Sequence, residues 1–236
     1  MIQVRKGSDR GHFDFGWLDT FHTFSFGRYV DRRWMGWSAM RVLNDDLIAP
    51  GQGFGLHPHD NMEIISYIVS GQLAHRDSLG NVRTISPGEI QAMSAGSGLE
   101  HSEFNPSSTQ RTRLIQTWIR PALTDTVPGY GQKQFPVHDE TGKFHLLVSP
   151  DGAAGSLRIG QDARMWAGVF PLQIKVAIPA AAGRNIWLQV IGASVQLGEH
   201  LLEDGDGAAI SGGELPVLTA LPRGDIAAHI LLFELP

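Results

Sequence analysis

Two short clusters in this 236-residue sequence carry side chains able to hold a metal ion. The first is His57-Pro58-His59 and the second is His101-Ser102-Glu103-Phe104-Asn105. In a β-strand, residues two apart point to the same face, so His57 and His59 can reach one point. His101, Glu103 and Asn105 share a face in the same way. Pro58 stiffens the first pair and removes a backbone donor, which suits a sheet edge or the start of a strand. Two such strands crossing inside a barrel would unite His57, His59, His101 and one carboxylate. Glu103 and Glu63, which has the parity of His59, are the candidates for that carboxylate. Imidazole and carboxylate donors suit iron, manganese, nickel, copper or cobalt, with zinc compatible but less able to do redox work. Four protein donors leave two positions of an octahedron open, as a catalytic site needs and a closed structural site does not. A single histidine is ordinarily a surface residue or a hydrogen-bonded core residue. An H-x-H with an H-x-E, each after a Gly-rich turn, is a pattern that chance seldom produces, and metal binding accounts for it.

The elements that must position these residues are short strands. Runs with strand-type alternation cover 63–69, 114–119 and 144–148, and again 186–191 and 229–233, with Gly71, Gly80, Gly88, Gly192 and Gly198 close by as turn residues. Many short strands with frequent turn signals point to a sandwich or barrel rather than to βαβ units. Two halves are expected, 1–130 and 131–236, joined through the proline-containing stretch from Pro121 to Pro136. A loose internal repeat supports the division. Each half runs strand, glycine turn, strand, then a Gly-acidic stop, at Pro87-Gly88-Glu89 and at Asp204-Gly205-Asp206-Gly207. The second half has no metal-type cluster, because His145, His200 and His229 are scattered.

Composition narrows the function classes. There is no cysteine, which excludes disulfides, thiolate metal sites, iron-sulfur clusters and cysteine nucleophiles. A net charge of -5 argues against a general grip on nucleic acid. The first residues lack the apolar core of a signal peptide and no apolar run reaches the length of a membrane span, so a cytoplasmic protein is expected.

Beyond the donor pattern, the residues resemble a family. Gly51 to His59 with Glu63 follows the first cupin motif, G-x5-H-x-H-x3-E, and Gly98-Leu99-Glu100-His101 with Asn105 follows the end of the second, G-x2-H-x3-N. More narrowly, His22-Thr23-Phe24-Ser25-Phe26-Gly27, the stretch from Gly51 to Glu63, and Ser94 through Glu103 look like pirins, which are bicupins. The likeness is specific in the first half and generic in the second. It implies an all-β fold of two tandem jelly-roll-like cupin barrels, with one divalent transition metal in the first. Iron(II) is the expected ion. The resemblance places the metal on His57, His59, His101 and Glu103, whereas the general cupin pattern would use Glu63. Glu63 is then expected to orient a histidine from outside the ligand shell.

Bicupins with three histidines and a glutamate include quercetin 2,3-dioxygenases. The resemblance therefore implies a flavonol-opening enzyme that uses dioxygen and releases carbon monoxide, with Glu103 taking the proton of the substrate hydroxyl. The contrasting expectation is a metal- and redox-sensing interaction module with a protein partner, as eukaryotic pirins resemble. The two-barrel form is expected to be monomeric. The early aromatics Phe13, Phe15, Trp17, Phe21, Phe24, Phe26, Tyr29, Trp34 and Trp37 are read mainly as packing on the outer barrel faces, with a wall for a planar substrate as the alternative. His22 is read as a hydrogen-bonded structural histidine.

Overall fold

The computed structural model describes residues 1–236 and is built of strands, with two single 3-10 turns at Gly7–Asp9 and Ala153–Gly155. Up to the middle of the chain the strands are β1 (Ile2–Arg5), β2 (Gly11–Asp14), β3 (Leu18–His22), β4 (Met40–Ile48), β5 (Gly53–His59), β6 (Glu63–Ser70), β7 (Leu73–Asp77), β8 (Val82–Ile85), β9 (Glu89–Ser94), β10 (Leu99–Phe104), β11 (Thr112–Ile119) and β12 (Gly129–Gln134). The rest are β13 (Phe144–Ser149), β14 (Leu157–Arg158), β15 (Arg164–Phe170), β16 (Ile174–Val176), β17 (Asn185–Gly192), β18 (Ser194–Leu197), β19 (His200–Glu203), β20 (Gly207–Ile210), β21 (Leu218–Leu221) and β22 (Ala228–Leu235).

Each half closes a seven-stranded sheet over a four-stranded one. The first barrel has orders β12-β9-β6-β11-β4-β3-β2 and β5-β10-β7-β8; the second has β1-β20-β17-β22-β15-β13-β14 and β16-β21-β18-β19. The two large sheets pack face to face through one apolar cluster of 25 buried residues, including Leu43, Ile65, Tyr67 and Ile115 from the first barrel and Leu147, Trp187, Leu231 and Phe233 from the second. This is the bicupin architecture that the motifs imply.

Strand pairing does not follow the chain at both ends. β1 pairs antiparallel with β20, Ile2 opposite Ile210, and so completes the second barrel from the N-terminus. β12, which spans the expected division at 130/131, pairs with β9 as the edge of the first barrel. In both cases a strand from outside the meander covers a sheet edge that would otherwise expose unpaired backbone groups. Within the expected connection from Pro121 to Pro136, residues 129–134 are therefore strand rather than linker.

Alternation within β6 decides which side chains can reach the site. Ile64, Ser66 and Ile68 point into the first barrel, while Ile65 and Tyr67 point at the second. Glu63 has the parity of Ile65 and Tyr67 and follows them outward, accepting a hydrogen bond from Ser94 and lying against Gly160 of the second half. It hydrogen bonds to no histidine, contrary to the expectation from its spacing. The reason is local: residues 60–62 turn the chain between β5 and β6, and strand parity does not carry through a turn.

Candidate functional site

β5 and β10 run antiparallel, with His57 opposite His101 and His59 opposite Leu99. Leu99, His101 and Glu103 alternate inward along β10, their neighbours outward. Between His101 and Glu103 the register shifts, so that Glu103 lies opposite Phe54. Such a bulge re-aims side chains. It needs Gly53, because a Cβ there would collide with the backbone of Glu103 and Phe104. The donor atoms of His57, His59 and His101 converge to within 4.8 Å of one another. Their ring centroids are 4.4 Å apart for His57 and His101, 4.8 Å for His57 and His59, and 4.9 Å for His59 and His101.

A second donor set shares His101 and joins it with Glu103 and His75. Sequence reasoning overlooked His75, although it alternates with the buried Leu73 on an inward face of β7. Hydrogen bonding separates the two sets. Gln91 Nε2 donates to His75 Nδ1 at 3.1 Å, so His75 Nε2 carries the proton it donates to Asp77 at 3.0 Å. Both nitrogens of His75 are occupied. His101, only 1% exposed, has no partner for either ring nitrogen. A buried polar group left unmatched costs about 1–3 kcal/mol, so an empty-handed imidazole at this depth fits a residue that binds something else.

The electrostatics agree with ligation. Burial draws the His101 imidazole down to about 3, with the neighbouring His57 and His59 adding to the effect. Burial likewise draws His59 to about 4. Both rings are neutral near pH 7 and keep a lone pair available. His57 Nδ1 lies 2.7 Å from the Gly55 carbonyl, which only an N–H can satisfy, and this leaves Nε2 for the cluster. Glu103 is 2% exposed and is held by Gln116 Nε2 at 2.9 Å and by the Ser66 hydroxyl at 3.4 Å. Burial raises its pKa, against the opposing effect of the Gln116 hydrogen bond. Asn105, the last of the alternating trio in the sequence, is used differently. Its amide donates to the carbonyls of Ile48 and Gln110 and accepts from Ser107 N–H, so it ties the loop after β10.

The cluster opens into a cavity of about 470 Å³. Its walls are aromatic, formed by Phe13, Phe15, Trp17, Phe26, Phe54 and Trp118. Trp118 stands edge-on to His59, with centroids 4.8 Å apart. The early aromatic segment is thus divided. Phe24 and Trp34 turn away and pack on Trp187 between the barrels, and Phe21 stacks on His12 outside, whereas Phe13, Phe15, Trp17 and Phe26 form the wall. His22 belongs to the cavity too, flanked by Phe13 and Phe26, with its Nδ1 unpartnered. Phe54 and Trp118 were not singled out in the sequence, because a lone aromatic in a strand does not reveal which sheet face it takes.

The comparisons with known proteins follow the same lines. The family model described as Pirin matches residues 3–119, and that described as Quercetinase C-terminal cupin domain matches residues 146–235. The chain is 42% identical, over all of its length and 99% of the relative's, to a quercetin 2,3-dioxygenase of Escherichia coli K12. The chain belongs to the pirin family. This pirin is also 38% identical to a pirin-like protein of Caulobacter vibrioides, covering 96% of this chain and 97% of the relative. It superposes on the crystal structure of the E. coli bacterial pirin YhhW in complex with nickel(II) with a TM-score of 0.91, at 42% identity, covering 100% and 99% of the two chains. The second half of this pirin is therefore a cupin domain by sequence as well as by fold.

Proposed function

We propose that this pirin is a metal-dependent dioxygenase that opens the central ring of flavonols such as quercetin with dioxygen, releasing carbon monoxide, at an iron(II) ion held by His57, His59, His101 and Glu103. The observation that carries the reading is His101, buried and without a partner at either nitrogen, clustered with His57 and His59, which line an aromatic cleft. The name of the E. coli relative supports the reaction, and the nickel complex of YhhW supports a divalent ion.

The ion supplies Lewis acidity toward the flavonol 3-hydroxyl and a redox-active centre for reaction with dioxygen. The protein does the rest. His57 is locked in one tautomer by the Gly55 carbonyl. His59 and His101 stay unprotonated because burial disfavours their cations. Glu103 is placed by Gln116 and Ser66, and its raised pKa suits a carboxylate that takes the 3-hydroxyl proton. The aromatic walls stack a planar ligand and keep water from the reacting ring. A redox-switched interaction module would need no ligand-sized cavity beside the ion, and this one has room for a flavonol.

Elemental analysis and flavonol turnover under air on the same sample test the proposal. We expect one equivalent of redox-active metal, loss of the flavonol absorbance and release of carbon monoxide. Metal without turnover would favour the interaction module, and no metal after reconstitution would remove the ligand assignment.

A further inference from the structure

We propose that Thr20, Asn44 and Asp46 form a hydrogen-bonding subsite on the cleft floor, which selects flavonols carrying hydroxyl groups remote from the metal-chelating oxygens. The inference rests on the flavonol reading above and gives it a specificity-determining site.

These residues are neighbours by strand register. Thr20 of β3 lies opposite Asp46 of β4, and His22 lies opposite Asn44. On the other side of β4, Asn44 lies opposite Gln116 of β11, the residue that holds Glu103. The three strands thus present a polar plaque to the cavity, beginning beside the proposed ligand Glu103 and running away from it. Asp46 is two residues along the strand from Asn44, about 7 Å at the usual rise. That is comparable with the width of a fused two-ring system, so the plaque extends from beside Glu103 over the length at which a flavonol carries hydroxyls remote from its chelating oxygens.

The plaque is polar, buried and unmatched. Thr20, Asn44 and Asp46 are 2%, 5% and 3% exposed. Asn44 Oδ1 and Asp46 Oδ1 lack hydrogen-bond partners, as does Nδ1 of the adjacent His22, while the Thr20 hydroxyl faces the Asp46 carboxyl across the strand pair. All four residues line the one cavity. Buried polar atoms are normally paired, and clusters of exceptions mark places where something else binds. The chemistry of the missing partner can be read from the atoms. A carboxylate oxygen and an amide oxygen accept, and a threonine hydroxyl accepts or donates, so the complement is a set of donors such as phenolic hydroxyls. An apolar ring edge would leave the acceptors unmatched. Burial pushes the Asp46 carboxyl up to about 7, with the nearby Asp45 and Glu103 charges adding and Thr20 opposing. Asp46 can therefore receive a hydroxyl as carboxylate or as acid.

The test compares quercetin with 3-hydroxyflavone, which keeps the chelating pair and lacks the remote hydroxyls. Affinities are measured by fluorescence titration of the metal-loaded full-length protein under nitrogen, so that no turnover intervenes. Wild type should prefer quercetin by about tenfold or more, the range of one or two lost hydrogen bonds. Asp46→Ala should bring that ratio to within about threefold, and the isosteric Thr20→Val should lower it by a smaller factor. Metal content, measured on the same samples, should stay at one equivalent in both. Equal loss for the two ligands, or no preference in wild type, would overturn the subsite and leave the dioxygenase reading intact. If neither ligand binds metal-loaded wild type, the dioxygenase reading itself falls and takes the subsite with it. Thr20→Val reads the same ratio if Asp46→Ala does not fold.

Discussion

The two barrels share a strand order and differ in what fills them. The second has one continuous apolar interior of 16 buried residues, among them Leu188, Val190, Leu218, Ala220, Ile230 and Leu232. In the first the interior is split into clusters of six and four buried residues. A layer of histidines, Glu103, Gln116 and the polar floor lies between them. The contrast is sharpest on one pair of strands. β10 lies between β5 and β7, and β21 lies correspondingly between β16 and β18. Where β10 turns His101 and Glu103 inward, β21 turns Leu218 and Ala220 inward. The same scaffold is closed by packing in one half and opened for ligation in the other. The first barrel carries its orphaned polar groups while packed against the second through a shared apolar layer.

Making the first barrel resemble the second tests this contrast most strongly. His101→Leu should abolish stoichiometric metal and flavonol turnover together. It should also raise the stability of the metal-free protein by about 1–2 kcal/mol, because an unmatched imidazole gives way to an apolar side chain. Elemental analysis and urea denaturation read the two effects. Retained metal would break the ligand assignment, and a lower midpoint would break the account of the interior.

Core truncations in the two halves should differ in size. Leu218→Ala, in the continuous core, should cost about 3 kcal/mol. Leu99→Ala lies in the four-residue cluster beside the site and should cost about half as much, since less packing surrounds it. Equal losses would mean that the first barrel is as tightly packed as the second.

The interface between the barrels should make stability depend on pH. His229 is buried against Tyr67, whose hydroxyl is 2.7 Å from its Nε2, and burial pulls the imidazole down to about 3, with His138 reinforcing the shift. A histidine with a lowered folded pKa is neutral in the native state, whereas the unfolded chain protonates it near 6.5. Protonation of the unfolded state then erodes stability as pH falls below about 6.5, with no further loss below about 3. Between pH 7 and pH 5 the loss should be about 2 kcal/mol. His229→Gln keeps a partner for Tyr67 and does not titrate, so it should remove this share of the loss, while in metal-free protein His59 and His101, also drawn down by burial, keep theirs. An unchanged profile would place the acid sensitivity elsewhere.

The donor pattern was legible because it is local. H-x-H and H-x-E each lie within one strand, and strand parity alone places their side chains on one face. A sandwich or barrel was legible from short alternating runs and turn glycines, and its doubling from the loose repeat and the likeness to bicupins. Glu63 was misplaced because its parity was carried through a turn. His75, Asn44, Asp46 and Gln116 carry a weaker signal, a polar residue at an inward position of a largely apolar strand. Many strands tolerate one such residue as a structural partner.

By itself the sequence determined the strand runs, the three histidines and the two candidate carboxylates, since these follow from alternation, turn chemistry and donor type over a few residues; the preference for Glu103 over Glu63 came from the resemblance to pirins. Tertiary structure alone decided that β1 completes the far barrel, that Glu63 faces the neighbouring domain and that Thr20, Asn44 and Asp46 meet Gln116 beneath one cavity. These are pairings between distant segments. The choice among possible strand partners is made by burying whole sheet faces and covering edges, a global balance that no local run of residues encodes.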